Sequence, residues 1–393
     1  MISFPKLLHK QRKIAIGLIS GTSADGIDAV VVEISGSGVK TRIKEIGFHT
    51  YPYKQDLKKF ILKNSNNATA KLEDVVRLNI LLGELFADSA LNLLKNARIS
   101  PSEVDFIGSH GQTIQHLPDK KEFFSKKISG TFQIADPSII AKRTGILTFG
   151  DFRIADVAVG GSGAPLIPYF DYIVFYSDTK NRALLNIGGI ANLTVLPKAC
   201  SLKEVFAFDT GPGNMIIDSL MKKFFGKPFD KNGEMATDGK LISELLNWML
   251  KHNYFSKSPP KSTGREMFGE KYIADIIKNW KRYQRKDIIT TVTEFTAISI
   301  YDSYLKFIKP KVQIDELIVS GGGVHNGYLI SALQQYFCNI SMKPIESFGF
   351  SSDSKEAICF AILANETLSG NCANVMGAIG ARCNTILGKI CLP

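Results

Sequence analysis

Nine residues near the N-terminus, Ser20 to Asp28 (SGTSADGID), hold two glycines, three hydroxyls and two acids between apolar runs. A hairpin turn needs only about two residues, so the surplus polar groups call for a task. Glycine lets backbone N–H groups approach a ligand, and hydroxyls add donors, which together suit phosphate. Carboxylates repel phosphate unless a cation intervenes, and Mg²⁺ is such a cation because it keeps much of its water and takes one or two carboxylates. Two later stretches share the pattern, DTGPGN (209–214) and SGGGVHN (320–326). The candidate phosphate-turn set is therefore Gly21, Thr22, Ser23, Ala24, Asp25, Gly26, Ile27, Asp28, Asp209, Thr210, Gly211, Gly213, Asn214, Gly321, Gly322, Gly323 and Asn326. Asp25 and Asp209 are the expected Mg²⁺ partners through water, and Asp28, at the head of a strand, reads as structural.

The elements that must carry these turns are legible from periodicity. Strands are expected at Ile14–Ser20 and Asp28–Ile34, then an alternating strand in TRIKEIGFHT. Leucines and valines at three- and four-residue steps predict a long helix over Leu72–Ala97. Arg182–Leu196 repeats the opening as strand, glycine turn, strand; VFAFDTGPGN feeds the helix MIIDSLMKKFF, and ELIVSGGGVHNGYLISALQQYF reads as strand, glycines, helix. The expectation is an α/β chain of two related halves, each led by an antiparallel hairpin. Polar stretches at 64–70, 119–130 and 252–264 read as surface loops.

Composition removes other classes. Net charge is +11, but the basic residues are scattered in pairs, so nucleic-acid binding is not expected. No apolar run approaches the ~20 residues needed to span a bilayer, and none follows the basic N-terminus as in a signal peptide. Six cysteines form no C-x-x-C and six histidines no metal spacing, which suits reduced thiols in a cytoplasm. GREMFGEK (264–271) has the P-loop glycine spacing but ends in Glu-Lys, and no G-x-G-x-x-G follows a strand.

Hairpin-led halves with phosphate turns resemble the actin, sugar kinase and heat-shock chaperone ATPase superfamily. Within it, GLISGTSADGIDA, GSHGQTIQHLP, TFQIADPSIIAKRTGI, DFRIADVAVGGSGAPLIPYFD, LNIGGIANLT, FDTGPGN, SGGGVHN and GAIGARCNTILGKI, in order from residue 16 to 390, resemble the anhydro-N-acetylmuramic acid kinase family. Ala24 stands where that family usually has Leu or Met. The resemblance implies a two-domain actin-like ATPase (ribonuclease H-like) fold with a central cleft. The expected domains are 1–140 and 141–370, with a helix in 371–393 returning to the first. It implies ATP and Mg²⁺, an anhydro-amino-sugar substrate, a cytoplasmic location, no membrane partner and a homodimer.

It also implies a reaction in which water opens the 1,6-anhydro ring while the 6-oxygen takes phosphate. A glycosidase needs two carboxylates. Here the leaving oxygen is captured by phosphorus, so one base suffices. Asp156 resembles the family's catalytic aspartate and is the expected base, with Asp151, paired to Arg153, as its rival. Glu356 matches an acidic position expected to hold the sugar or the water, or else completes a helix cap with Asp353 and Ser354. Gly160, Gly161, Gly163 and Ala164 suit a loop against a sugar; Gln112 and Asp136 offer hydrogen bonds, although Asp136 before Pro137 also reads as an N-cap. The alternatives are a kinase for another anhydro-sugar, as in levoglucosan kinases, and an ATP-driven conformational binder.

Overall fold

The computed structural model describes residues 4–393. Two compact units emerge: residues through Val174 together with Asp353–Pro393, and Phe175–Ser352.

In the first unit the strands are β1 (Arg12–Ser20), β2 (Gly26–Ser35), β3 (Arg42–Pro52), β4 (Phe106–Phe123), β5 (Lys126–Ile134) and β6 (Thr148–Gly150). β1, β2 and β3 form an antiparallel meander, and β4 and β6 then add in parallel on the far side of β1. β1 is central, and Ala15, Ile16, Leu18 and Ile19 are all buried, as a strand covered on both faces requires. The helix Leu72–Ala97, where periodicity predicts it, sets Leu78, Leu82, Phe86, Ala90 and Leu93 against Ile16, Leu18, Val31 and Ile107. The opposite face takes the helix Lys355–Leu368, which contacts β1 and β4. There Gly17 and Gly108 are obligatory: a Cβ on either would lie 1.9 Å from the Ala357 carbonyl oxygen or 2.0 Å from that of Phe360.

The second unit repeats this order. β7 (Arg182–Ile187), β8 (Ile190–Leu196) and β9 (Phe206–Pro212) are antiparallel, and β10 (Glu316–Ser320) and β11 (Ser341–Pro344) extend the β7 edge in parallel. With β5 set aside, which pairs with β4 off this path, the orders β3-β2-β1-β4-β6 and β9-β8-β7-β10-β11 correspond, so the arrangement is duplicated. That is the ribonuclease H-like topology expected. The helix Arg285–Ser303 is buried on nearly every side despite its threonines, because Thr291 and Thr293 donate to the Asp287 and Ile289 carbonyls one turn back.

Three expectations change. The units divide at 174/175 and 352/353 rather than at 140 and 370. The reason is that β6 pairs with β4, and the helix Lys355–Leu368 covers β1. The C-terminal segment carries a four-residue helix, Met376–Ile379, and a strand, Lys389–Cys391, that pairs antiparallel with β6. The polar stretch 119–130 is no loop: it forms the outer arms of a β4–β5 hairpin turning at Phe124 and Ser125, both at positive φ.

Candidate active site

Ligands of open α/β sheets meet the carboxyl ends of the parallel strands. In the first unit three such ends converge: Ser20 on β1, Ser109 to Gln112 in β4, and Asp151 directly after β6. Asp151 has φ 54° and ψ 47°, a left-handed conformation unusual for a side-chain-bearing residue. It heads the short helix Phe152–Ala158 and ion-pairs with Lys389, while its side chain keeps 26% of its exposure. Two residues on, Arg153 Nε donates to His110 Nε2 at 2.9 Å. The His110 Nδ1 sits 3.1 Å from the Gly111 carbonyl, which fixes the proton on Nδ1 and leaves Nε2 as the acceptor. Burial, and then the Arg153 charge, hold His110 well below the usual imidazole range, so it is neutral.

Asp156 faces the other way. It has no exposed surface; Oδ2 accepts from the Gly163 N–H at 2.8 Å and Oδ1 from Asn374 Nδ2 at 3.1 Å. Burial raises its pKa, with those two bonds opposing the rise. The glycine loop closes over it: a Cβ on Gly161 would lie 2.1 Å from Asp156 Oδ2. Asp156, the expected base, thus lies beneath the GGSGAP loop, with Gly161 and Gly163 buried and Gly160 and Ala164 on the accessible side.

Glu356 begins the helix Lys355–Leu368. The expected cap does not form, because Ser354 Oγ donates to Glu45 Oε2 at 2.6 Å. Glu356 keeps solvent access. Crowding by protein atoms pushes its carboxyl up, Asp28 adding to the rise while Lys355 and Arg153 oppose it. Lys355 itself is buried against Asp171 at 2.7 Å, which pins the start of the helix.

The remaining expected sugar contacts, buried Gln112 and partly exposed Asp136, both bond within the protein. Gln112 Oε1 accepts from Ser20 Oγ at 2.5 Å and its Nε2 donates to the Gly21 carbonyl at 3.1 Å, tying the first glycine turn to β4. Asp136 caps the helix Pro137–Thr144 by accepting from the Ser138 N–H at 2.8 Å.

Among the nucleotide-turn residues, Thr22, Ser23 and Asp25 are exposed on the β1–β2 turn, and Gly21 has open space around it. Asp25 ion-pairs with Lys58, and its pKa is lowered: burial raises it, but the bonds from Lys58 and Ser23 prevail. Ala24 and Ile27 are core residues, and Gly26 lies against the Tyr51 carbonyl, so these three shape the turn. Asp28 accepts from Thr50 Oγ1 at 2.6 Å, and its pKa is raised by burial, then by Asp353 and Asp25.

In the second unit Thr210 is fully buried and donates to the Ala191 carbonyl, so its hydroxyl is not available to phosphate. Asn326 is the N-cap of the helix Gly327–Tyr336. Gly211 and Gly213 are buried, and Gly213 and Asn214 donate their N–H groups to the Gly189 and Gly188 carbonyls. Gly322 is exposed and Gly321 half-buried at φ 86°, while Gly323 packs on Ile187. Gly188 and Gly189 were not in the expected set. They close the β7–β8 hairpin as Gly21 to Asp25 close β1–β2, and that equivalence is the signal that finds them.

Asp209 is half-buried, and its Oδ2 accepts from the Thr263 N–H at 2.9 Å. The segment 252–264, expected as a surface loop, docks here: the Lys261 carbonyl accepts from the Asp209 N–H, and Tyr254 Oη donates to the Asp209 carbonyl. Burial, with Glu266 adding, pushes Asp209 up to about 6, against the Thr263 bond and Lys261. A folded pKa above the unfolded one stabilises below the unfolded value, and that gain is lost as pH rises through about 6. Asp209→Asn is therefore expected to raise the melting temperature at pH 8, by up to about 3 kcal/mol of stability, and to change little at pH 4. Melting curves at the two pH values check this.

Among the described residues, no group of three His, Cys, Asp or Glu is placed to hold a metal ion. The acids fit Mg²⁺ only as single outer carboxylates, the mode that ion uses beside phosphate. No helix among the described residues is long and apolar enough to cross a membrane.

Paired hairpin-led units, each with a glycine turn at its first hairpin, define the actin-like fold class. The model of the family described as anhydro-N-acetylmuramic acid kinase matches residues 13–393, and the chain belongs to that family of kinases. The anhydro-N-acetylmuramic acid kinase of Caldanaerobacter subterraneus subsp. tengcongensis is 45% identical over 391 residues, covering 98% of this chain and 99% of that one. The protein of that name from Clostridioides difficile is 44% identical over 376 residues, 96% of this chain and 97% of its own. Component A of Acidaminococcus fermentans (R)-2-hydroxyglutaryl-CoA dehydratase aligns over 91% of this chain and 99% of its own at 10% identity, with a TM-score of 0.44. That score carries no argument about function.

Proposed function

We propose that this kinase uses ATP and water to convert 1,6-anhydro-N-acetylmuramic acid to N-acetylmuramic acid 6-phosphate and ADP, a step in cell-wall recycling. The observation that carries the reading is Asp151, an accessible carboxylate in a left-handed turn at the end of β6, two residues before the Arg153 that bonds His110. Strained backbone of this kind persists where function uses it.

Asp151 takes a proton from water as its oxygen bonds to the anomeric carbon. The bond from that carbon to O6 breaks, O6 bonds to the γ-phosphorus, and the bond to the β-phosphate oxygen breaks. Phosphoryl transfer needs positioning and charge neutralisation more than covalent help. Exposed Thr22, Ser23 and the N–H groups of the turn suit phosphate oxygens in the first unit, and Gly188, Gly189 and Gly322 do so in the second. Mg²⁺, held through water by Asp25 or Asp209, would neutralise the developing charge. Glu356 supports the sugar or the water; Asp156 supports the GGSGAP loop from beneath. The test is incubation with ATP, Mg²⁺ and 1,6-anhydro-N-acetylmuramic acid beside 1,6-anhydroglucose. Sugar-dependent ADP release with a 6-phosphate from the muramic sugar is expected, and ATP hydrolysis indifferent to both sugars would overturn the reading.

A further inference from the structure

Arg153 has more hydrogen-bonding capacity than the fold uses. Its Nε is spent on His110 at 2.9 Å. Its two terminal amino groups have no partner among the described residues and are not sealed from solvent. The side chain is half-buried, and burial lowers its pKa to about 10, Glu356 opposing. It therefore stays charged at neutral pH. An arginine whose terminal amino groups are free while its stem and Nε are fixed is set for a bidentate anion.

The fixing is extensive. The His110 ring packs at 4.6 Å from that of Phe360, and its tautomer is set by the Gly111 carbonyl. A Cβ on Gly163 would touch Arg153 Cβ at 3.4 Å, so the GGSGAP loop presses on the arginine stem. Arginine can act through a flexible chain, but here little conformational freedom remains to be lost on binding. The charged groups that face it are Glu356, which shares its surroundings but makes no ion pair with it, and the neutral His110; His116 also senses its charge.

We infer that Arg153, oriented by His110, is the receptor for the carboxylate of the sugar substrate and so the residue that selects a muramic sugar over neutral anhydro-sugars. The inference rests on the proposed function. That carboxylate is the one charge on the sugar that neutral anhydro-sugars lack. A fixed guanidinium distinguishes the two by binding one and being left unpaired by the other, which is how large discrimination arises. An alternative anion, the phosphoryl group in transfer, is common to every sugar and gives no such discrimination.

The experiment compares kcat/KM for 1,6-anhydro-N-acetylmuramic acid and its neutral lactyl carboxamide, in the wild type, Arg153→Met and Arg153→Lys. The wild type is expected to prefer the acid by about 100-fold or more. Arg153→Met should bring the two substrates within a few fold of each other, chiefly through KM for the acid, and Arg153→Lys should keep part of the preference. Because the ratio is taken within one protein sample, partial unfolding cancels. A preference that survives in Arg153→Met, or an equal loss on both substrates, overturns the inference. Wild-type protein that phosphorylates neither sugar overturns the proposed function instead.

Discussion

Asp151→Asn is expected to lower turnover by about 10²–10⁴-fold, the range for a lost general base, with nucleotide affinity unchanged. The carboxylate sits at the carboxyl end of a parallel strand, is partly exposed, and belongs to a residue in a left-handed backbone position that the substitution leaves intact. Its partner Lys389 lies on the exposed strand paired with β6, so loss of that ion pair contributes little to stability. Asp156→Asn should behave in the opposite manner. Both Asp156 oxygens accept hydrogen bonds from buried donors. An amide turns one acceptor into a donor facing a donor, which costs about 1–3 kcal/mol. The melting temperature should fall by several degrees, while turnover per folded molecule stays within about tenfold, far short of the loss of a base. Turnover and melting measured on both variants separate the two roles, and full turnover in Asp151→Asn would remove it as the base.

Gly108→Ala should be among the most damaging single-methyl changes. Its Cβ would stand 2.0 Å from the Phe360 carbonyl oxygen and 3.0 Å from Ala364 Cβ. Neither the carbonyl nor the methyl carbon can turn aside, so the helix Lys355–Leu368 would have to lift by about 1 Å or more to restore ordinary contact. That helix is fully packed, from Ala357 through Ala364, and its start is held by the buried Lys355–Asp171 pair. Overpacking of this kind, at a backbone-to-backbone contact, is expected to cost on the order of 4 kcal/mol or more. It would also displace Glu356 at the head of the helix and the Phe360 ring beneath His110. Low soluble yield or a melting temperature lowered by ten degrees or so is expected, with any folded fraction impaired in turnover. Wild-type melting would show that the helix yields freely and that its docking is not what places Glu356.

Local signals specified most of the scaffold. The helix Leu72–Ala97 and the helix Met215–Phe225 stand where their patterns place them, because amphipathic period and burial agree there. The two hairpin-led halves were legible because each begins with two apolar runs around a glycine turn. Polar composition misled at 119–130, where strand pairing with a neighbour supplies the order. It misled again at 252–264, where backbone bonds to Asp209 and the Tyr254 hydroxyl fix the segment.

The sequence by itself determined the family, the duplicated fold and the short set of acids proposed for the base. Only the tertiary structure shows how differently those acids are placed. Asp151 precedes the helix Phe152–Ala158 in a left-handed conformation, whereas Asp156 lies within that helix. One therefore meets the strand ends while the other meets the packed underside of the glycine loop. The five-residue spacing does not show which side each of them meets. That choice belongs to β6, whose pairing with β4 aims Asp151 at the carboxyl end of the sheet, and to Asn374, 218 residues further on, which closes over Asp156.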